Sequence, residues 1–211
     1  MKIAVVCAAG KEGRLLVGEA LSRGHEVTGF VRNADAEVAP GAKKIVKDLF
    51  ALTREDLRGF DAVIDAFGAW TEETLPLHTA SLMHLCDALS GSETRLLVVG
   101  GAGSLFVDPA HTKMLMELPS FPEIYLPLAQ NMGDALRKLR ERKDVRWTYL
   151  SPAADFRADG ARTGRYLSGG EEYFENARGQ SAISYADYAV AMIDEAESGR
   201  HDGTRFSVVG E

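Results

Sequence analysis

Two hydrophobic patterns alternate along the chain. The first is a short, nearly unbroken apolar run. It recurs at Ile3–Val6, Glu26–Val31, Lys44–Lys47, Ala62–Phe67, Arg95–Val99, Arg146–Leu150 and Arg205–Val209. Runs of this length predict strands covered on both faces, as in a parallel sheet. The second pattern places apolar residues three and four apart, beginning with Leu15, Leu16, Val17, Ala20 and Leu21. It predicts helices over residues 12–23, 74–89, 125–142 and 184–197, with a short turn near 53–58. Gly24 suits the end of the first helix, and Thr53 with Asp56 and Ser184 with Asp187 suit helix starts. Alternating strands and helices predict an α/β fold built on a doubly wound parallel sheet. In such a sheet a ligand crevice opens at the carboxyl ends of the strands, where the strand order reverses beside the first strand.

The first strand empties into Cys7-Ala8-Ala9-Gly10-Lys11-Glu12-Gly13, and a helix follows at once. Strand, glycine turn and helix together form the context of a phosphate-binding loop. A helix N-terminus carries unpaired N–H groups and partial positive charge, and glycine lets a phosphate approach the backbone. Ala8, Ala9, Gly10, Lys11, Glu12 and Gly13 are therefore the first candidates for binding a dinucleotide.

Composition narrows the class. The 211 residues are 45% hydrophobic and 26% charged, which suits one domain over residues 1–211. The formal net charge of −7 argues against a general nucleic-acid surface. The basic run from Arg137 to Lys143 falls at a helix end, where the dipole favours cations. No apolar run is long enough to span a membrane, and the start lacks the pattern of a secretory signal. Cys7 and Cys86 form no CxxC, so a reduced, cytoplasmic protein is expected. The five histidines show no zinc spacing, and no metal site is expected. The implied partner is a small molecule, and monomer and small homo-oligomer both remain open.

The segments MKIAVVCAAGKEGR, GHEVTGFVRN, KDLF, DAFG, RLLVVGGAGSL, WTYLSPAADF, RTGRY and ISYADYAVAMIDE follow one another from residue 1 to about 197. In that order the chain resembles the atypical short-chain dehydrogenases/reductases. Within that group it is similar to the small NAD(P)H-binding proteins called NADH-flavin reductases, and to NmrA-like proteins. The resemblance implies a Rossmann-type sheet with a small C-terminal substrate cap, of which Arg162–Tyr166 would be a structural part. It also exposes a departure. The turn of these proteins usually opens with glycine, and here Cys7 stands there.

An NAD-preferring site usually ends its second strand with a carboxylate for the ribose 2′-hydroxyl. Here that strand ends Val31-Arg32-Asn33. The Arg32 guanidinium suits a 2′-phosphate instead, and Lys11 adds a second positive charge, which points to NADP(H). The resemblance places Asp48 and Leu49 beside the adenine. It places Ala66, Phe67 and Gly68 along the ribose and pyrophosphate, and Ser151 and Pro152 beside the nicotinamide.

Ser104 and Tyr125 stand where short-chain dehydrogenases carry their catalytic serine and tyrosine. A loop-capping serine and a helix-start packing tyrosine are the alternatives. The residue four beyond Tyr125 is Ala129, not the lysine that would assist the phenol. This tells against alcohol dehydrogenation and leaves reduction of a conjugated acceptor, with flavin as a candidate substrate. The expected function is an NADPH-dependent reductase passing hydride to a flat flavin, quinone or bilin. The apolar stretch from Ala102 to Pro122 would serve as its lid. The alternatives are a non-catalytic NmrA-like NADP(H)-sensing protein and an NAD(P)-dependent epimerase.

Overall fold

The computed structural model describes residues 1–211. In chain order the elements are β1 (Lys2–Val6), α1 (Lys11–Ser22), β2 (Glu26–Val31), β3 (Lys43–Val46), α2 (Arg54–Leu57), β4 (Ala62–Asp65), α3 (Leu77–Leu89) and β5 (Arg95–Val99). There follow α4 (Leu126–Glu141), β6 (Arg146–Ser151), β7 (Asp155–Arg157), β8 (Tyr166–Gly169), β9 (Ala182–Ser184), α5 (Tyr185–Ser198) and β10 (Thr204–Gly210). The main sheet runs β3-β2-β1-β4-β5-β6-β10-β8. Seven strands are parallel, and β8 alone runs against its neighbour β10. This is the Rossmann-type order, with its reversal between β1 and β4.

Alternation along the central strands builds two cores. Ile3 and Val5 of β1 face one way and pack with Leu16, Val17 and Ala20 of α1 and with Tyr188, Met192 and Ile193 of α5. Ala4 and Val6 face the other way, toward Leu82, Leu85 and Cys86 of α3 and Leu136 and Leu139 of α4. Such strands lose water from both faces, which is why they read as unbroken apolar runs. The residues of α1 and α5 that face each other include buried charge. Glu19 takes bonds from Arg23 and from Arg162, while Arg23 also reaches Asp194 of α5.

A second buried pair ties α5 to the sheet. Arg95, at the start of β5, donates to the Glu195 carboxylate and to the Glu195 carbonyl at 2.8 Å. Glu195 also accepts from the His201 backbone N–H at 3.0 Å and contacts His201 Nδ1 at 2.7 Å.

The helix-start pairs behave in two ways. Thr53 donates its N–H and hydroxyl to the Asp56 carboxylate at 2.7 and 2.6 Å, closing the start of α2. Ser184 Oγ accepts the Asp187 N–H at 2.9 Å. The Asp187 carboxylate turns elsewhere, taking the Thr163 N–H and hydroxyl and the Gly164 N–H. The Arg162–Tyr166 segment is thereby fastened to α5, and Tyr166 adds a bond from its hydroxyl to Asp194 at 2.7 Å.

Several expected boundaries shift. β4 ends at Asp65, two residues short of Phe67, because Asp65 turns its carboxylate onto the Phe67 N–H at 3.0 Å. α3 begins at Leu77, since Thr71–Leu75 forms a turn closed onto the Thr71 carbonyl. The C-terminal stretch read as a cap contains three strands not foreseen. β8 extends the main sheet, and β7 and β9 pair in a small parallel sheet of their own. They are three or four residues long and carry no apolar run. The opposite rim is β3, whose Lys43 and Lys44 are exposed.

Candidate functional site

The crevice begins where β1 ends. Cys7 takes a left-handed backbone, with φ at 60°, and its carbonyl accepts the Gly10 N–H at 3.0 Å. That conformation explains why glycine is the usual residue here. The bend folds the chain back so tightly that a Cβ on Gly13 would lie 2.4 Å from the Cys7 carbonyl oxygen. α1 then starts with Gly10 as its cap, which has no side chain to offer. The N–H groups of Lys11, Glu12 and Gly13 have no protein partner. Three free donors at a helix N-terminus, beside a glycine no larger residue can replace, fit a diphosphate. The Cys7 thiol is not a nucleophile: burial, with Asp65 and Asp48 nearby, pushes its pKa up to about 12.

Not every residue of the turn is available. The Ala8 N–H is taken by the Phe30 carbonyl at 3.1 Å. The Ala8 side chain is buried, and its Cβ lies where Gly29 leaves room. Ala8 therefore offers a ligand no free N–H, because the start of the turn is stitched to β2. Ala9 is half-buried, and its carbonyl holds the Arg14 side chain at 2.9 Å.

On the β2 side, Arg32 is exposed and makes no hydrogen bond or ion pair within the protein. Its charge reaches Cys7, as does that of Asp48, so both lie at the mouth of the bend. Lys11 is also exposed. Asp48 caps a short turn by accepting the Phe50 N–H at 2.9 Å, and Leu49 is buried in the core.

On the other side of the reversal, Ala66 donates its N–H to the Val6 carbonyl at 3.2 Å, and Gly68 is exposed. Phe67 is half-buried, edge-on to His78 with ring centres 5.4 Å apart. Asp65 is 4% exposed, and burial raises its pKa to about 6. A cavity of about 20 Å³ beneath it is lined by Phe67, His78, Met132 and Tyr149 among others. The chain after β5 is clamped by β6 and α5. Tyr149 accepts the Gly101 N–H at 3.1 Å, and Ser151 donates its hydroxyl to the Gly101 carbonyl at 2.9 Å. Tyr188 accepts the Gly100 N–H and donates to the Leu150 carbonyl. Ser151 and Pro152 are buried at the end of β6.

Ser104 and Tyr125 differ sharply in setting. The Ser104 hydroxyl accepts from Arg205 at 2.9 Å, and its Cβ lies against Gly133 of α4. This is the loop-holding arrangement. Arg205 is 2% exposed and also grips Glu171, which Arg140 shares. Tyr125 is 53% exposed, and its hydroxyl has no hydrogen bond. Four residues on, Ala129 packs so closely under Gly103 that a Cβ there would lie 2.5 Å from its own. The stretch from Ala102 is anchored rather than free. Phe106 exchanges backbone bonds with Glu171 and Tyr173, and Leu115 and Met116 bond back to Leu105 and Gly103.

A cavity of about 670 Å³ opens at the far end of the sheet, near Arg54, Arg58, Arg95 and Arg146. Each of these guanidiniums already has a protein partner.

Two features of the site went unread in the sequence. Asp65 interrupts an apolar run, and that is the signal a buried acid leaves. The complete burial of the Glu12 carboxyl leaves none, because it depends on α5.

Residues 7–196 match the NAD(P)H-binding family. The chain is 49% identical over 212 residues to "Uncharacterized protein YwnB" of Bacillus subtilis (strain 168), covering 100% of this chain and 99% of that one. Its structure is similar to that of SP1627 from Streptococcus pneumoniae TIGR4, named "a putative NADH-flavin reductase". Identity there is 48%, coverage 100% of both chains, and the TM-score 0.96. A protein from Bacteroides thetaiotaomicron, named "putative epimerase", matches with 38% identity, coverage of 99% and 96%, and a TM-score of 0.85. The chain belongs to the NAD(P)H-binding family.

Proposed function

We propose that the protein is an NADPH-dependent reductase of a flat, conjugated small molecule, acting in the cytoplasm as one domain over residues 1–211. The observation that carries this is the pairing of free donors with a free cation. The N–H groups of Lys11, Glu12 and Gly13 are unpartnered beside a Gly13 that admits no Cβ, and Arg32 is unpaired at the mouth. The first set suits the diphosphate, and the guanidinium suits a 2′-phosphate. Nicotinamide, when bound, supplies the hydride. Gly68, Ser151 and Pro152 would border the cofactor's path across the strand ends.

The protein's own groups favour an acceptor that needs no activated phenol. Burial pushes Tyr149 up to about 12 and also raises Tyr188 well above the usual phenol range, and both hydroxyls are engaged with the clamped turn. Tyr125 has no lysine partner, and Ser104 is held by Arg205. A conjugated ring that accepts hydride and takes its proton from water suits such a site. An epimerase would need a base that none of these groups provides.

The test is to mix the protein with NADPH and free flavin and follow absorbance at 340 nm. Loss faster than the blank is expected with flavin, and no loss with flavin, quinone or enone would overturn the reductase reading. Arg32→Ala is expected to weaken NADPH by about tenfold or more and leave NADH within about twofold. A second reading is a dinucleotide-binding protein without turnover, favoured by the held Ser104. It requires NADP(H) binding by calorimetry with no reduction across flavins, quinones and enones.

A further inference from the structure

Arg14 follows Gly13 in the first turn of α1, and its side chain is exposed. Its Nε donates to the Ala9 carbonyl at 2.9 Å, so the guanidinium is folded back onto the bend instead of trailing in solvent. The two terminal nitrogens make no hydrogen bond and no ion pair within the protein. Acids are at hand, since Asp35 and Glu37 are exposed on the connection from β2 to β3, yet neither pairs with Arg14. A cation in the first turn also opposes the helix dipole, and Lys11 adds another. The fold gains little from this charge, and the open edge of the guanidinium is accessible to a ligand.

Two observations place that edge on the β2 side of the crevice. Arg14 and Leu21 lie about two turns apart on one face of α1. The Leu21 side chain lies 3.6 Å from where a Cβ on Gly41 would be, so this face looks toward the β2–β3 connection. The bend itself is stitched to β2 by the Ala8 N–H and the Phe30 carbonyl at 3.1 Å. Ala9, which holds Arg14, is the next residue on one side of that bond. Arg32 stands two residues beyond Phe30 on the other. The two arginines therefore flank one seam, and both have free N–H groups there.

We propose that Arg14 is a second specificity-determining residue, whose guanidinium closes with that of Arg32 on the 2′-phosphate of NADP(H). The inference rests on the dinucleotide reading above and adds to it a residue outside the strand end. In a crevice of this topology the end of the second strand meets the adenosine ribose. A phosphomonoester there carries nearly two negative charges and three acceptor oxygens, so it can take a fork of N–H donors from each side. The bond from Nε holds the plane of Arg14 before the ligand arrives, which lowers the entropy lost on binding. NADH offers only a neutral hydroxyl at this place.

Calorimetry with NADPH and NADH, which differ only by the 2′-phosphate, tests this. Wild type should prefer NADPH. Arg14→Ala should weaken NADPH about tenfold and leave NADH within about twofold. Arg14→Lys keeps the charge but loses the fork and the Nε bond, and should weaken NADPH about threefold or more. Both variants should melt within about 2 °C of wild type, because the side chain is exposed. An arginine that only latches the bend would, when removed, cost both coenzymes alike. Equal loss for both, or loss for neither, overturns the proposal. Wild type that binds the two coenzymes equally also overturns it and leaves the dinucleotide reading standing. Wild type that binds neither overturns the dinucleotide reading itself.

Discussion

The carbonyl oxygen of Cys7 lies 2.4 Å from the point a Cβ on Gly13 would occupy. The obstructing atom is backbone, so no side chain can swing aside. Gly13→Ala is expected to destabilise the protein by about 2–3 kcal/mol and abolish dinucleotide binding. Gly18 in the same helix has nothing within 4 Å, and Gly18→Ala should stabilise by roughly 0.5–1 kcal/mol. Urea unfolding of both variants checks the contrast. Equal effects would mean that the bend does not constrain position 13.

Cys7 holds a left-handed backbone without being glycine. Cys7→Val, with its branch at Cβ, should cost about 2 kcal/mol or more, whereas Cys7→Gly should stay within about 1 kcal/mol of wild type. A valine variant as stable as wild type would show that the strain is absent. With the thiol pushed up to about 12, alkylation of the folded protein at pH 7.5 should be slow at this site.

Asp65 gives stability a definite slope with pH. The native carboxyl holds its proton to about pH 6, while the unfolded one releases it near 4. Between those values the folded state binds more protons, so unfolding free energy falls as pH rises. The loss is complete above pH 6 and of order 2–3 kcal/mol. Asp65→Asn, which still accepts the Phe67 N–H, should raise the melting temperature at pH 7.5 and change little at pH 4. The opposite order would refute the burial argument.

The Arg95–Glu195 pair is nearly sealed from water, with side chains 8% and 2% exposed. Removing one partner strands the other, so Glu195→Ala should cost about 3–5 kcal/mol. The double variant Arg95→Met, Glu195→Leu should recover part of that loss. Denaturant midpoints of the three variants test the coupling; simple additivity would reject it.

The central sheet was legible because its strands are buried on both faces, so that Ile3–Val6 or Arg95–Val99 reads as strand without help from neighbours. The glycine bend was legible for the same local reason. Tyr166–Gly169 was not, because its pairing with β10 depends on residues about forty positions away and leaves no periodic mark. The setting of Ser104 was hidden too, since Arg205 reaches it across 101 residues. Position 7 was seen as unusual, but its positive φ belongs to the folded bend. The bond from the Ala8 N–H to Phe30 leaves no mark in the sequence either, since it joins the turn to β2.

One rim of the sheet is β3, four residues long, with Lys43 and Lys44 exposed along it. An open strand edge invites another chain to add itself, and two ammonium groups on so short an edge oppose that through repulsion and solvation. At that margin the short, charged strand is a safeguard against addition of a second chain.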